Sequence, residues 1–258
     1  MIPKIIHYCW LSNDPIPEEL QECMASWKKY LPDYEFMKWD FNRFDKESCP
    51  WVSEAFDAKK YAFAADYIRI YALYKYGGIY LDMDVEVLKS FNDLLQLPYF
   101  LCYEQDATGP EVAAFGAQEG QQWLADWLAY YKGRHFVKKD GSINPQNRTP
   151  LPKIAINWLG QRGYVFKDII QPGEITSNNS YTICLLPSEY FSPKSYTDGK
   201  IYCTPNTYSI HHFAGSWIPK EQKIEHLFWQ FLGVKPHNIM WHVDNWIDRL
   251  RHVIIKKR

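Results

Sequence analysis

A largely apolar stretch runs from Tyr61 to Leu81 and predicts a buried helix followed by a buried strand. Apolar and aromatic side chains fall on almost every side of a helix drawn over residues 61–76, which is typical of a helix that is buried on most of its faces. Gly77 and Gly78 are expected to end this helix, because glycine readily takes the left-handed backbone conformation found at many helix C-termini. Residues 79–81 are apolar and β-prone, so they predict an interior strand.

The same patterns divide the rest of the chain into short strands and helices. Strands are predicted over residues 2–10, 34–39, 85–87, 99–103, 182–186 and 207–213. Helices are predicted over residues 18–30, 51–60, 120–131, 154–160, 221–232 and 237–255. Residues 132–152 are polar and rich in Gly, Pro and Asn, so they predict a long loop. Because strands and helices alternate at the start of the chain, we expect an α/β fold with a mostly parallel sheet and helical crossovers.

The last predicted helix carries an apolar stripe and ends in basic residues. The stripe consists of Ile239, Val243, Trp246, Ile247, Leu250 and Ile254, and the basic end consists of Arg249, Arg251, His252, Lys256, Lys257 and Arg258. This pattern fits a packing helix with a solvated basic end. It also fits an interfacial helix resting on anionic lipid. The second interpretation predicts peripheral contact with the inner face of a membrane.

The composition indicates a globular protein with a sizeable core, since 47% of the 258 residues are hydrophobic and 23% are charged. A formal net charge of −1 argues against nucleic-acid binding through bulk charge. No internal repeat or domain boundary is evident, so we expect a single domain over residues 1–258. The six cysteines are scattered, and neither a leader sequence nor a long apolar run is present. These features predict a reduced, cytoplasmic protein with free thiols.

Four charged residues interrupt the apolar stretch and are the first candidates for chemistry. Asp82 and Asp84 are two residues apart at the end of a predicted strand, so their side chains point to the same side of an extended backbone. Such a carboxylate pair can hold a hard divalent cation, and ligands of open α/β sheets bind at this end of the strands. Asp66 and Arg69 are spaced i, i+3 and share one helix face. Buried unpaired, each charge would cost several kcal/mol, so partners or a ligand are expected.

Several segments, taken in their order, carry a family resemblance. They are residues 2–10, Ser26 and Trp27, residues 32–35, residues 65–69, residues 76–84 (YGGIYLDMD), and residues 211–217 (HHFAGSW). The chain resembles glycosyltransferases that carry a DXD sugar-binding region. These include bacterial cell-surface polysaccharide transferases, initiating mannosyltransferases of yeast and, more distantly, the glucosylating domain of large clostridial toxins. The likeness covers residues 1–105 well, is weak in the middle of the chain, and returns at residues 211–217.

The resemblance implies a GT-A fold, in which a Rossmann-like sheet binds a nucleotide sugar and usually Mn²⁺, or else Mg²⁺. Residues 1–105 would form the nucleotide-sugar-binding core, and residues 220–258 a helical extension. Trp10 corresponds to the aromatic residue that stacks on the nucleobase. Asp66 and Arg69 correspond to the pair that binds the hydroxyls of the donor sugar. Asp82 would face the ribose and sugar, and Asp84 would bind the metal directly.

The resemblance also implies site residues near the second matching segment. Ser216 and Trp217 are expected to contact the diphosphate. One of the adjacent residues His211 and His212 is expected to supply the last metal ligand, because related enzymes have a late His or Glu in this place. A strand directs only one of two neighbouring side chains toward a cleft. His212 is the preferred ligand and His211 the alternative.

One segment departs from the family pattern, because residues 111–116 (EVAAFG) lack the polar residue that is often found there. The donor contact that this residue would make is therefore expected to be absent or supplied elsewhere.

The function that the resemblance implies is metal-dependent, retaining transfer of a hexose from a UDP-sugar. The acceptor would be a saccharide or a lipid-linked oligosaccharide in the synthesis of capsule, exopolysaccharide or O-antigen. No residue identifies itself as a covalent nucleophile, so we expect front-face attack by the acceptor hydroxyl. The alternatives are a GDP-mannose-dependent mannosyltransferase, a protein-glycosylating effector and a nucleotide-sugar binder without transfer activity.

Overall fold

The computed structural model describes residues 1–106, 109–176 and 181–215, and strands alternate with helices in the first third of the chain. The first elements are β1 (Ile5–Cys9), α1 (Glu18–Tyr30), β2 (Glu35–Trp39), α2 (Pro50–Asp57), α3 (Tyr61–Tyr76) and β3 (Gly78–Leu81). They are followed by β4 (Val85–Val87), β5 (Tyr99–Phe100), β6 (Ala114–Ala117), α4 (Gln122–Leu128), α5 (Leu151–Gly160), β7 (Val165–Asp168), β8 (Thr182–Leu185) and β9 (Ser209–His211). Each strand and helix predicted within the described residues is present, with bounds that shift by a few residues.

The central sheet has five strands in the order β2-β1-β3-β6-β5. β1 pairs in parallel with β2 on one side and with β3 on the other. β6 runs antiparallel to both β3 and β5, so it alone opposes the direction of the other strands in this sheet. The predicted α/β class with a mostly parallel sheet and helical crossovers is therefore confirmed.

The junction between α3 and β3 uses two glycines, as predicted. Gly77 has a φ of 62° and Gly78 a φ of 101°, both in the region that favours glycine. A Cβ atom on Gly78 would lie 2.7 Å from the carbonyl oxygen of Ile5, because β3 starts directly beside β1. These glycines let the buried helix pass into the buried strand within two residues, which places the end of β3 beside the end of β1.

Two strands lack a sequence signal. β6 consists of two alanines, one phenylalanine and Gly116. Alanine and glycine are both depleted in strands. All of its residues are buried, and a Cβ on Gly116 would lie 2.5 Å from Cε1 of Phe100. The small side chains of β6 thus serve close packing inside the sheet. β7 pairs in parallel with β8 but is mostly exposed, so it shows no apolar run.

The core is rich in aromatic residues and includes a buried histidine on β1. Trp27, Trp39, Trp51 and Trp127 are almost completely buried. His7 on β1 is also fully buried, with its Nε2 atom 2.7 Å from the carbonyl oxygen of Gly77. Its Nδ1 atom accepts a hydrogen bond from Nε1 of Trp39 at 3.1 Å. Burial lowers the pKa of His7 to about 4, so the ring is neutral at physiological pH and donates from Nε2.

The end of the chain bears on several predictions. The helices predicted over residues 221–232 and 237–255, and with them the extension over residues 220–258, lie outside the described residues. Among the described helices, none combines the length and hydrophobicity needed to cross a bilayer. All six cysteines lie within the described ranges and are free thiols, as expected.

Candidate active site

Several of the predicted site residues lie along the edge of the sheet where β1 and β3 end. β1 ends at Cys9 and is followed by Trp10, and β3 ends at Leu81 and is followed by Asp82. Because these strands are parallel neighbours, both ends reach the same edge. The chain passes from β1 to β2 on one side and later reaches β3 on the other, so this edge is a topological switch point, where open α/β sheets bind ligands.

A buried arginine joins the carboxylates of α3 and β3. Arg69 Nη1 donates to Oδ2 of Asp82 at 3.1 Å, and its Nη2 lies 3.4 Å from Oδ1 of Asp66. The hydroxyl of Tyr80 donates to the other oxygen of Asp82 at 2.8 Å, and the guanidinium carbon lies 4.8 Å from the centre of the Tyr80 ring. The structure thus brings together Asp66, Arg69 and Asp82, which the sequence analysis had nominated for the donor sugar.

The protonation of this cluster follows from burial and pairing. Burial raises the pKa of Asp66 to about 6, although the charge of Arg69 opposes this shift. Burial also raises the pKa of Asp82 against the same opposing charge. For Arg69, the nearby carboxylates outweigh burial and raise the pKa, so the guanidinium keeps its charge. The Nε atom of Arg69 is buried and has no hydrogen-bond partner among the described residues.

Asp84 meets His211 because of the strand that follows the aspartate pair. β4 begins directly after Asp84 and pairs antiparallel with β9, with Val85 opposite His211. The backbone N–H of His212 donates to the carbonyl oxygen of Asp84 at 3.0 Å and extends this pairing. As a result, Nε2 of His211 lies 3.5 Å from Oδ2 of Asp84. The same carboxylate oxygen accepts the backbone N–H of Ala214 at 2.7 Å.

His211 is held between two carboxylates. Its Nδ1 atom lies 3.0 Å from Oε2 of Glu111, on the side of the ring away from Asp84. Burial acts to lower the pKa of His211, but Glu111 and Asp84 outweigh it and raise the pKa well above its ordinary value. Burial acts to raise the pKa of Asp84, but the charge and hydrogen bond of His211 and the amide of Ala214 lower it to about 2. Asp84 is therefore an ionised carboxylate, and the two carboxylates favour the charged form of the His211 ring until a cation replaces the proton on Nε2.

The structure favours His211 over His212 as the residue next to the aspartates. Adjacent side chains of a strand point to opposite faces. His211 points toward Asp84 and Glu111, whereas Nε2 of His212 lies 2.9 Å from Oε2 of Glu86 on the other face. The register between β4 and β9 thus places the alternative, His211, beside the aspartates, and the metal-ligand role of either histidine stays a prediction.

Sequence reasoning missed Glu111. The segment 111–116 lacks the polar residue expected from the family pattern. Its first residue, however, carries a carboxylate that is 1% exposed and hydrogen-bonded to His211. Within the sequence, the only available signal was a charged residue directly before an apolar run, which needs a partner if it is buried. The identity of that partner depends on pairing between residues far apart in the chain.

Lys194 supplies a positive charge on the Asp84 side of the site. Its Nζ donates to the carbonyl oxygen of His212 at 2.9 Å. Burial lowers the pKa of Lys194, and the charge of Asp84 opposes this shift. A lysine ammonium has three donors, and this carbonyl takes one of them. With respect to the residues that the structure describes, the half-buried side chain therefore has donors left for an anion. Sequence reasoning did not nominate it.

The structure describes Trp10, Ser26 and Trp27 among the remaining residues of the family resemblance. Trp10 is half-buried, and its Nε1 donates to the carbonyl oxygen of Asp14 at 3.0 Å, which fixes the ring at the edge of the sheet. Ser26 and Trp27 of the family motif hold β4 in place. Trp27 Nε1 donates to the carbonyl oxygen of Val85 at 2.7 Å, and Ser26 Oγ accepts the N–H of Val87 at 2.8 Å. Ser216 and Trp217 lie outside the described residues.

The donor set suits a divalent cation. Asp82, Asp84 and His211 each offer one ligand atom, and these atoms lie within 4.8 Å of one another. Carboxylate oxygens with one imidazole nitrogen are suitable ligands for Mn²⁺, and oxygen-rich sites also suit Mg²⁺. The ionised state of Asp84 agrees with such a role. The residues present therefore fit the metal that the sequence analysis expected.

Comparison with known sequences connects this site to one family. Residues 17–101 match the family described as "Glycosyltransferase sugar-binding region containing DXD motif". An uncharacterized glycosyltransferase of Acanthamoeba polyphaga mimivirus is 30% identical over 231 residues, which cover 85% of this chain and 85% of that protein.

Other relatives match a smaller part. Inositol phosphoceramide mannosyltransferase 3 of Schizosaccharomyces pombe is 40% identical over 101 residues, or 38% of this chain and 28% of that protein. A mannosyl phosphorylinositol ceramide synthase of Saccharomyces cerevisiae is 36% identical over 190 residues, or 70% of this chain and 50% of that protein. The matches thus span between about a quarter and half of the length of these yeast relatives.

Among solved structures, the PaToxG glycosyltransferase aligns with 62% of this chain and 70% of its own, with 18% identity and a TM-score of 0.46. The family assignment depends instead on the sequence matches, above all on the viral relative that is similar over most of both chains. This chain belongs to the family of glycosyltransferases whose sugar-binding region contains a DXD motif.

Proposed function

We propose that this chain transfers a hexose from a nucleoside diphosphate sugar to a hydroxyl acceptor, with a divalent cation as cofactor and with retention of anomeric configuration. One observation carries the proposal: the possible metal ligands Asp82, Asp84 and His211 converge within 4.8 Å. They do so beside the buried Asp66–Arg69–Asp82 cluster, at the sheet edge where ligands bind.

Different side chains would bind the diphosphate and the sugar of the donor. Asp84 and His211 would hold the cation, together with Asp82. Bound there, Mn²⁺ or Mg²⁺ would act as a Lewis acid that stabilises negative charge on the leaving diphosphate. Arg69 and Asp66 would hydrogen-bond the sugar hydroxyls, and the Nε–H of Arg69, which has no partner in the described part of the chain, is one donor that a ligand could satisfy.

Two further residues would bind the base and the diphosphate of the donor. Trp10 would stack on the base, which uses binding energy away from the reacting bond to place the anomeric carbon. Lys194 would donate to the diphosphate from the Asp84 side, because one carbonyl oxygen among the described residues takes only one of its three ammonium donors. Ser216 and Trp217 remain proposed diphosphate contacts from the resemblance.

Front-face attack remains the proposed route to retention. The carboxylates of Asp66 and Asp82 both pair with Arg69, and Asp84 faces His211. Their oxygens are thus engaged in charge pairs, which supports direct attack by the acceptor hydroxyl over a covalent intermediate. Isolation of a glycosyl adduct on any of these three carboxylates would overturn this part of the proposal.

The donor is proposed as a UDP-hexose or as GDP-mannose. A UDP-hexose was the expectation from the sequence, with capsule, exopolysaccharide or O-antigen as the product. The yeast relatives, by contrast, are named as an inositol phosphoceramide mannosyltransferase and a mannosyl phosphorylinositol ceramide synthase. Mannose is therefore the first sugar to test, and a lipid-linked acceptor is a specific candidate beside a saccharide. A protein acceptor stays the less favoured alternative.

Calorimetric titration with UDP and with GDP, each in Mn²⁺ and again in EDTA, tests the proposal. We expect one of the two nucleotides to bind only when the metal is present. Hydrolysis of a panel of sugars linked to that nucleotide then identifies the hexose. Asp84→Asn should lose this metal-dependent binding. Glu86→Gln is the matched control, since Glu86 lies on the opposite face of β4 and pairs with His212. If neither nucleotide bound in either condition, the proposed function would fail.

Binding without turnover would favour the alternative of a non-catalytic nucleotide-sugar binder. We disfavour that alternative because the cluster of Asp66, Arg69, Asp82 and Asp84 is intact and paired. Release of free sugar from the donor, dependent on Asp84, would exclude it.

A further inference from the structure

Glu111 is a buried carboxylate to which the proposed mechanism gives no task. Its side chain is 1% exposed. One oxygen, Oε1, accepts the backbone N–H of Ala113 at 2.7 Å, and the other, Oε2, lies 3.0 Å from Nδ1 of His211. Burying a carboxylate is costly unless both of its oxygens find partners. Here both partners are specific, and one of them is the histidine of the proposed metal site.

We infer that Glu111 is a positioning residue that fixes the ring of His211 and directs Nε2 toward the cation. This inference rests on the proposed metal site. A carboxylate next to Nδ1 keeps the proton on that nitrogen and leaves Nε2 as the ligand atom. In the structure Nε2 is the atom that faces Asp84, at 3.5 Å. The pairing of Glu111 thus selects both the orientation and the tautomer that a metal ligand needs.

Glu111 and the two residues that follow it each contact a different residue of the site. Glu111 contacts His211, and the carbonyl oxygen of Val112 accepts a hydrogen bond from Nη1 of Arg69 at 2.8 Å. The carbonyl oxygen of Ala113 accepts the backbone N–H of Asp82 at 2.8 Å. Segment 111–113 therefore contacts the histidine, the arginine and the aspartate together. Because β6 follows at once and pairs with β3, the segment is fixed by the central sheet.

Glutamine cannot reproduce both bonds of Glu111. Its single amide oxygen can accept from Ala113 or from His211, whereas its NH₂ group can only donate. If the amide oxygen of the glutamine accepts from the backbone N–H of Ala113, its NH₂ group faces Nδ1 of His211. Nδ1 must then accept a hydrogen bond, so the proton of the neutral ring moves to Nε2. We therefore expect Glu111→Gln to weaken Mn²⁺ binding by about 10- to 100-fold, the range found for such outer partners of metal-binding histidines.

Glu104→Gln is the matched control. Glu104 lies in the same acidic environment, where burial and the charge of Glu111 raise its pKa to about 7. None of its described hydrogen bonds involves His211, so this variant removes nearby negative charge without removing the Nδ1 contact. At alkaline pH, where Glu104 is ionised, a purely electrostatic effect on the cation would weaken binding in both variants. A positioning effect would weaken it in Glu111→Gln alone.

The experiment measures Mn²⁺ binding by electron paramagnetic resonance, without nucleotide and with UDP or GDP, for the wild type, Glu111→Gln and Glu104→Gln. Glu111→Asp is added because it keeps the charge but is one methylene too short to reach both partners. We expect both Glu111 variants to bind Mn²⁺ more weakly and Glu104→Gln to bind as the wild type does. In the metal-free proteins, ¹⁵N NMR of His211 at a pH above its pKa, where the ring is neutral, should show the proton on Nδ1 in the wild type and on Nε2 in Glu111→Gln.

Wild-type Mn²⁺ affinity in Glu111→Gln, or equal weakening in Glu104→Gln, would overturn the inference while leaving the proposed function intact. If the wild-type protein bound no Mn²⁺ with either nucleotide, the metal site of the proposed function would fail, and the inference with it. The two failures are therefore distinguishable.

Discussion

The carboxylate of Asp84 lies 3.5 Å from Nε2 of His211, although the two residues are far apart in sequence. Their contact depends on β4 and β9, which pair Val85 with His211 directly beside the aspartate. Ser26 and Trp27 of α1 fix β4 from its other side through hydrogen bonds to its backbone. The site histidine is thus placed by a two-stranded sheet that is itself anchored to the first helix.

The two adjacent histidines should differ sharply in function. We expect His211→Gln to lower kcat/KM by roughly 100-fold or more, because a catalytic cation contributes several kcal/mol and about 1.4 kcal/mol corresponds to tenfold in rate. His212→Gln should keep near wild-type activity, since His212 pairs with Glu86 on the opposite face. Steady-state kinetics at saturating Mn²⁺ measures both. The reverse order of effects would restore His212 as the metal ligand.

Arg69 should matter for stability as well as for activity. Replacing it with methionine would leave Asp66 and Asp82 without their counter-charge, and breaking a buried ion pair costs about 3–5 kcal/mol. Lys4→Met is the control, because the pair of Lys4 with Asp33 lies at the surface, where solvent screens the interaction and its loss changes stability little. Urea unfolding gives both free energies. Equal, small losses in the two variants would show that the Arg69 cluster does not stabilise the fold.

Lys194 should assist the departure of the diphosphate. A hydrogen bond to a charged group contributes about 1.5–3 kcal/mol, so Lys194→Gln is expected to lower kcat/KM by about 10- to 100-fold. Lys200→Gln serves as the control, because Lys200 is 71% exposed and its described ion pair is with Asp198. The comparison uses donor hydrolysis, which needs no acceptor. Unchanged rates in Lys194→Gln would remove this residue from the proposed site.

Trp10 should contribute to nucleotide affinity. Stacking of a base on an aromatic side chain contributes about 1–3 kcal/mol in single-strand binding proteins, so Trp10→Ala should weaken binding of the correct nucleotide by about 10- to 100-fold. Trp10→Phe should retain most of the affinity because it keeps an aromatic face. Calorimetry on both variants measures the difference. Equal affinity in Trp10→Ala and the wild type would contradict the stacking role.

His7 should make stability depend on pH. Its pKa is lowered from 6.5 to about 4 in the folded protein, so its contribution is complete above about pH 6.5 and is lost as the pH falls toward 4. At about 1.4 kcal/mol per pH unit, the loss amounts to about 3 kcal/mol. His7→Gln can still donate to Gly77 and accept from Trp39 but does not titrate. Its free energy of unfolding should therefore fall less over this range, as urea unfolding at several pH values will test.

The sequence by itself determined the elements with strong local signals. The helix from Tyr61 to Tyr76 begins and ends as its apolar pattern predicted, and the two glycines take the positive φ that its end required. The spacing of Asp82 and Asp84 after an apolar strand predicted a carboxylate pair at the sheet edge. These features depend on neighbouring residues, so periodicity and turn chemistry suffice to find them.

Only the tertiary structure decided which of the two histidines meets the aspartates and which carboxylate supports it. His211 and His212 are equivalent in sequence, and the register of β9 against β4 determines the face on which each ring lies. Glu111 precedes a strand of small residues that has little strand propensity of its own and forms through pairing with β3. Such pairing joins residues that are distant in sequence, and shifting it by one residue would exchange the two faces. Local patterns therefore predicted the carboxylate pair and the helix that carries Asp66 and Arg69, and long-range strand pairing determined how they meet His211 and Glu111.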